Sequence, residues 1–340
     1  MDGERVRWGV IGCAGIALTR TIPEGFLPAR NAELAAVLNR TAETTADVAR
    51  RFSVKPAADV DGLLASGIDA VYVASPVYLH REHVLRSVAA GKHVLCEKPL
   101  ALSVEEAGEM TAAARARGVQ LGTAFMMRFH AQHRAALDLI RRGRLGQPVF
   151  ARAQLGFWYP KTERAWRQNP ALAGGGSLAD VGSHLLDLLE MFFGPIAQVT
   201  CFTANAIHEY ASEDGAVAAL RFANGALGSI DAFFAMAAGT SRNVLELYGS
   251  RGSILASGTI GQESGGSMTA CLRPDETGAV ENIAIAPDEI NFYRAEIEEF
   301  SAALLEGTPS LLAGESGLRN QRLLAACYES ARTGRAVALD

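Results

Sequence analysis

Short apolar runs and amphipathic stretches alternate along the first third of the chain. Residues 6–11 form an apolar run that ends in Gly12-Cys13-Ala14-Gly15, and a helical stretch follows. A second apolar run covers 33–38, and a polar, helix-period segment covers 42–52. The same reading predicts strands at 70–74, 93–96 and 119–124, with helices at 80–90 and 104–117 between them. Strands alternating with helices of this length predict βαβ units and a parallel, doubly wound sheet.

The pattern changes after about residue 145. One helix is predicted over 177–193, and strand-like runs follow at 198–204, 216–222, 226–234, 244–248 and 253–256. Asn224-Gly225 between two of these runs is a two-residue hairpin signal. This half reads as a large, mostly antiparallel sheet with helices on one face. From Asn291 the chain returns to helix, with apolar positions at Ile297, Phe300, Leu304, Leu323 and Leu324, and Gly265-Gly266 reads as surface loop.

Composition narrows the class. The 340 residues correspond to about two domains, at roughly 150 residues each. Hydrophobic residues make up 49% and charged residues 20%, which excludes wholesale disorder. The net charge of −5 argues against a nucleic-acid binder, which needs a basic excess to release counterions. No apolar run reaches the roughly 18 residues of a membrane span, so no membrane partner is expected. The charged Met1 to Arg5 segment has no apolar leader core, and the five cysteines at 13, 96, 201, 271 and 327 form no CxxC. Both features favour a reducing, cytoplasmic location. Cys96 reads as a small buried hydrophobe.

The chemistry begins at the first turn. Gly12, Ala14 and Ala17 fit GxGxxG with alanine at the second and third positions, between a strand and a helix. Such a turn brings backbone amides to a pyrophosphate at the helix start. At the end of the second strand stands Asn39-Arg40, where an NAD site usually has a carboxylate for the ribose 2′-hydroxyl. Arg40 can pair with a 2′-phosphate, so NADP(H) is favoured, while Asn39 leaves NAD(H) open. Glu97-Lys98-Pro99 ends a predicted parallel strand, the side on which open α/β sheets bind ligands. A lysine there can polarise a hydroxyl or carbonyl; surface exposure is its bland alternative. Asp180 and His184 are four apart and share a helix face, an acid beside an imidazole suited to proton transfer. A capped helix start or a metal pair are the competing readings. Asp187 is poorly spaced as a third ligand, and the i,i+3 pairs His80/His83 and His130/His133 face solvent or core more readily than a metal, so no metal is expected.

Together these residues resemble the Gfo/Idh/MocA oxidoreductase family along essentially the whole chain. The resemblance rests on the 12–17 turn, Ala74-Ser75-Pro76, Glu97-Lys98-Pro99, Phe125 to Phe129, Gly174 to His184, Gly317 to Asn320 and Tyr328 to Ala331. It implies an N-terminal Rossmann domain over 1–124. A substrate-binding α/β domain over 125–340 would carry an open sheet that makes a homo-oligomer. It also implies roles: Lys98, Asp180 and His184 in catalysis, and Gly12, Ala14, Ile16, Ala17, Asn39, Arg40, Ser75, Pro76, His80, Glu97 and Lys98 at the cofactor. Arg128, Trp166, Arg167, Asp180, His184 and Lys98 would meet the substrate. Val77-Tyr78 departs from the asparagine that relatives often carry after the proline. The subgroup most similar in look is the NADP-linked sugar and dihydrodiol dehydrogenases. The expected function is hydride transfer between nicotinamide and a sugar or polyol. The alternatives are a redox-neutral glycosidase or epimerase-like enzyme holding NAD, and a non-catalytic cofactor-binding regulator, which would need none of Lys98, Asp180 and His184.

Overall fold

The computed structural model describes residues 4–163, 165–273, 278–287 and 291–339. Six strands build the first sheet: β1 Val6–Ile11, β2 Ala32–Leu38, β3 Lys55–Pro56, β4 Ala70–Val73, β5 His93–Glu97 and β6 Leu121–Ala124. Their order is β3-β2-β1-β4-β5-β6, and every pairing is parallel. Helices cover both faces, so β4 (Ala-Val-Tyr-Val) is buried at every position, as a continuous apolar strand must be. β1 pairs with β2 on one side and β4 on the other, so the strand order reverses there. The carboxyl ends of β1 and β4 therefore flank the crevice where such sheets take ligands.

The first helix, Ala17–Phe26, contains Pro23, which has no N–H to donate. Its turns widen, and Leu27 N reaches back five residues to Ile22 O at 3.1 Å. The later helices follow ordinary caps. Thr41 Oγ1 accepts from Thr44 N ahead of Ala42–Phe52, and Ser103 Oγ accepts from Glu106 N ahead of Val104–Arg117.

Two compact units emerge: residues 1–126 with 291–321, and 127–290 with 322–340. Residues 291–321 thus depart from the expected assignment of everything after 124 to the second domain. The reason is packing. Trp8 Nε1 donates to Ser301 Oγ at 3.1 Å, the Trp8 ring meets Phe300, and a Cβ on Gly25 would lie 3.2 Å from Ile297. Helix Phe292–Glu306 therefore completes the core of the first unit.

The second unit holds nine strands: β7 Pro148–Gly156, β8 Ile196–Ala204, β9 Gly215–Phe222, β10 Leu227–Phe233, β11 Val244–Gly249, β12 Gly252–Ser257, β13 Ser267–Leu272, β14 Glu281–Ala284 and β15 Val337–Ala338. The order is β14-β13-β12-β11-β7-β10-β9-β8-β15, with β7–β10 parallel and the other pairs antiparallel. Alternate residues of β7 (Ala151, Ala153, Leu155) are buried beneath helix Ser183–Phe193. The other face carries Phe202, Val217, Leu227 and Leu255 as exposed side chains.

Asn224-Gly225 does join a hairpin, between β9 and β10, but the loop has three residues and not two. Phe222 N bonds Ala226 O at 2.9 Å, and Gly225 takes φ +91°. A turn closed by a left-handed glycine keeps the strand twist that a two-residue turn of L-residues would lose.

Candidate active site

The turn after β1 is shaped by close approach. Gly12 has φ +89°, and a Cβ there would lie 2.5 Å from Ser75 N and 2.6 Å from Ala74 C, so only glycine fits. Gly12 N and Cys13 N are both held by Leu38 O, at 2.8 and 3.2 Å. The first amide to fold back is Leu18 N, on Ala14 O. The amides at Ala14, Gly15, Ile16 and Ala17 therefore have no intrahelical acceptor and suit an anion. A Cβ on Gly15 would meet nothing within 4 Å, so the turn is open on that side. Ala17, at the third glycine position, is fully buried against the strands.

At the end of β2, Thr45 Oγ1 accepts from Asn39 N at 2.9 Å and pins the backbone there. Arg40 is exposed, and among the described residues its guanidinium has no ion pair or hydrogen bond. These features fit a dinucleotide: free amides for the pyrophosphate and an uncommitted cation beside the ribose position.

The loops after β4 and β5 are tied together by His80, which is 1% exposed. Its Nε2 meets Ser75 O at 2.8 Å, and its Nδ1 meets Pro99 O at 3.1 Å and Leu100 O at 3.3 Å. Burial pushes this imidazole down to about 4. Expected as a cofactor contact, His80 is a buried strut between the two loops that carry Ser75-Pro76 and Lys98-Pro99. Ser75 is also buried, with its Oγ 2.9 Å from His83 Nδ1. Pro76 starts the turn Val77–Leu79. Glu97 accepts from the Tyr72 phenol through Oε1 and from Lys98 N through Oε2 at 3.3 Å. Burial and the Glu97 charge hold Tyr72 far above the usual phenol range, so it stays a donor. Thr21 Oγ1, on the first helix, lies 3.0 Å from the same phenol. Cys96 is buried in the apolar cluster that holds Val71, Val73 and Val94, and burial pushes its thiol up, consistent with a packing residue.

In the second unit, Gly174-Gly175-Gly176 leads into a wide turn, Leu178–Gly182, that continues as helix Ser183–Phe193. The glycines are required by their neighbours. A Cβ on Gly175 (φ +150°) would fall 1.7 Å from Tyr328 Oη, and one on Gly176 would fall 2.1 Å from Glu213 O. Glu213 holds the helix start. Its carboxylate accepts from Gly176 N (2.8 Å) and Leu178 N (3.0 Å), its backbone oxygen from Ser177 N (3.0 Å), and Tyr328 donates to Oε1 at 2.8 Å. A carboxylate there also opposes the positive end of the helix. Glu213→Ala is expected to lower stability by about 1–3 kcal/mol, because several buried donors lose their acceptor. Thermal unfolding of the variant measures this, and an unchanged Tm would refute the clamp.

Asp180 and His184 follow on this helix. Asp180 lies 3.8 Å from Arg167 Nε, and the Arg167 guanidinium stacks 4.3 Å above the Trp166 ring. His184 is 5% exposed. Arg128, expected at the substrate, forms a two-point ion pair with buried Asp187 (Nε–Oδ2 2.9 Å, Nη2–Oδ1 2.5 Å). Burial raises the Asp187 carboxyl, and the guanidinium opposes that rise. Sequence reasoning missed Glu213, Tyr72 and Tyr159. Burial raises the Tyr159 phenol above its usual range, with the Arg167 charge opposing the rise and the Asp180 charge adding to it.

Two further histidines are accounted for locally. The His130 and His133 rings stand 4.6 Å apart in the interior, with His133 bonded to Met127 O and Thr259 Oγ1, and His130 to Gly265 O. No cluster of three or more metal-type ligands occurs among the described residues.

Residues 6–125 match the model of the oxidoreductase family with an NAD-binding Rossmann fold, and residues 133–255 match the GFO/IDH/MocA C-terminal domain. The 1,5-anhydro-D-fructose reductase of Ensifer adhaerens is 34% identical over 98% of both chains. The chain belongs to the GFO/IDH/MocA oxidoreductase family. A D-xylose 1-dehydrogenase (NADP(+)) from Haloferax volcanii is 29% identical over 98% of this chain and 99% of its own. Among solved structures of the same fold, aldose-aldose oxidoreductase from Caulobacter crescentus, complexed with glycerol, superposes with a TM-score of 0.90. It is 27% identical and covers 99% of this chain and 100% of its own. As a member of this family the chain is an NAD(P)-binding oxidoreductase, so the regulator and redox-neutral alternatives are not favoured.

Proposed function

We propose that this oxidoreductase interconverts a hydroxyl and a carbonyl on a sugar or polyol, with NADP(H) as the preferred cofactor. The observation that carries the reading is the helix bearing Asp180 and His184, held at its start by Glu213 and flanked by the Trp166–Arg167 stack. It occurs in a chain related over nearly its full length to a sugar reductase. The nicotinamide, when bound, supplies or accepts the hydride. In oxidation His184 takes the hydroxyl proton, and in reduction it returns that proton to the carbonyl oxygen. Asp180 favours the protonated imidazole through its charge. Lys98 donates to a substrate oxygen and offsets its developing negative charge. Gly12 and the amides of Ala14, Ile16 and Ala17 hold the pyrophosphate; Ser75, Pro76 and Glu97 shape the nicotinamide end.

The cofactor preference rests on the uncommitted Arg40 and on the absence of a carboxylate at Asn39-Arg40. Arg40→Ala is expected to weaken NADP more than NAD by about 1–2 kcal/mol, the range of one charge-assisted contact. Initial-rate KM values with each cofactor measure it, and equal losses would refute the 2′-phosphate role. The exposed apolar residues of the second sheet support a homo-oligomer formed through that face. The five free cysteines support a reducing, cytoplasmic setting. No described helix is long and apolar enough to cross a membrane.

The test is a panel of aldoses and polyols with NADP+ and NAD+, followed at the reduced-nicotinamide absorbance band. Turnover of a member, dependent on added cofactor, is expected. Cofactor binding without turnover of any member, in either direction, would overturn the reading.

A further inference from the structure

We propose that Tyr72 is a positioning residue for Lys98: with Thr21 it forms a buried hydrogen-bonded column that fixes the Glu97 carboxylate, and Glu97 in turn holds the Lys98 backbone. The catalytic half of this proposal rests on the role given to Lys98 above, and the column itself does not. β4 reads Ala-Val-Tyr-Val and is buried at every position, so Tyr72 is its one polar side chain. A phenylalanine would fill an interior strand position without the cost of desolvating a hydroxyl. The partners of that hydroxyl give the reason for it.

Strand register brings the phenol to Glu97. Tyr72 pairs with Leu95 of β5, and Glu97, two residues further along, points to the same face. Thr21 of the first helix, fully buried, meets the phenol there, with its Oγ1 3.0 Å from the phenol oxygen. A phenol has a single proton. Tyr72 donates it to Glu97 Oε1, so Thr21 must donate its own proton to the phenol oxygen. Glu97 Oε2 accepts from Lys98 N at 3.3 Å. Burial, and then the charges of Glu97 and Glu296, hold the phenol far above its usual range, so Tyr72 stays a donor at neutral pH.

The last link matters because Lys98 lies just past the sheet. β5 ends at Glu97, opposite Ala124, where β6 also ends. The ladder therefore stops one residue short of Lys98, and the Glu97 side chain supplies the acceptor that a neighbouring strand would otherwise provide. A free glutamate samples many rotamers, and the Tyr72 donor selects the one that makes this contact. The column thus sets the direction in which the chain leaves β5 and the point from which the Lys98 side chain starts. A group that stabilises charge must be held to within about 0.5 Å, which calls for support of this kind.

The test compares the NADP+-bound enzyme with Tyr72→Phe, which keeps the ring and its edge contact with Phe26, 5.8 Å between centroids. Amide hydrogen exchange, read residue by residue by mass spectrometry, should quicken about tenfold at Lys98, the loss of one hydrogen bond. Val71, Val73 and Val94, inside β4 and β5, should stay within about twofold of wild type. Unchanged exchange at Lys98, or equal quickening across both strands, would overturn the column as a support for Lys98. On the aldose or polyol of the panel turned over fastest, Tyr72→Phe should lower kcat about tenfold while the NADP+ KM stays within about twofold. Added to Lys98→Ala, the same change should alter kcat less than about twofold, because the support has no side chain left to place. Full additivity, or a wild-type kcat in Tyr72→Phe, would overturn action through Lys98. If no panel member turns over, or Lys98→Ala keeps the wild-type rate, the reading above falls and takes the catalytic half of this proposal with it. The exchange rates then still decide whether Tyr72 holds the Lys98 backbone.

Discussion

His184→Ala is expected to lower the oxidative kcat/KM by roughly 10²–10⁴, the usual contribution of a positioned acid–base group. The wild-type rate should rise with pH through one ionisation as neutral imidazole forms, because only the neutral ring accepts the hydroxyl proton. The alanine variant should lose that limb. Asp180→Asn should keep a limb but move it to lower pH, since a neutral amide no longer stabilises the imidazolium. The sign follows from charge alone: removing a nearby anion makes the cation less favourable, so the ring loses its proton earlier. Asp180 is 22% exposed and lies 3.8 Å from Arg167, so part of its charge is already balanced and the shift should be modest. A pH–rate profile of kcat/KM for the three proteins measures all of this. An alanine variant with the wild-type profile would shift the proton-transfer role to another group.

Lys98→Ala is expected to cut kcat by about 10²–10³, because the donor proposed for the developing alkoxide is lost. The backbone around it should be unaffected. Glu97 remains held by Tyr72, and the loop is still tied by His80 to Ser75 and Pro99. Cofactor affinity, followed by quenching of protein fluorescence, should therefore change only a few-fold. Stopped-flow measurement of the hydride step separates this from a binding defect. Near wild-type turnover would make Lys98 a bystander.

Much of the fold could be read from the residue pattern. The apolar run of β4, buried at every position, could only be an interior strand, and Gly12 before a helix could only be a tight turn. The alternation along β9, with Val217, Ala219 and Arg221 exposed between buried neighbours, fits a sheet covered on one side. Lys98, Asp180 and His184 were legible as candidates because each sits at a fixed offset from a local motif. These features depend on neighbours a few residues away, and local spacing records them.

What only the tertiary structure decided involves partners far apart in the chain. Periodicity marks one face of helix Phe292–Glu306 as apolar, but Trp8 and Gly25, more than 250 residues earlier in sequence, determine that this face belongs to the first unit. The Gly174 to Gly176 run suggests a helix start, yet its necessity comes from Tyr328 and Glu213 filling the space a side chain would take. Arg128 was legible as a charged residue near a motif, and only its two-point contact with Asp187 shows that the charge is already matched. Asn224-Gly225 predicted the hairpin, while the pairing of Phe222 with Ala226 set the loop at three residues. A sequence pattern states which positions avoid water. Which surface they meet, and which charge neutralises which, depends on long-range geometry that no local spacing contains.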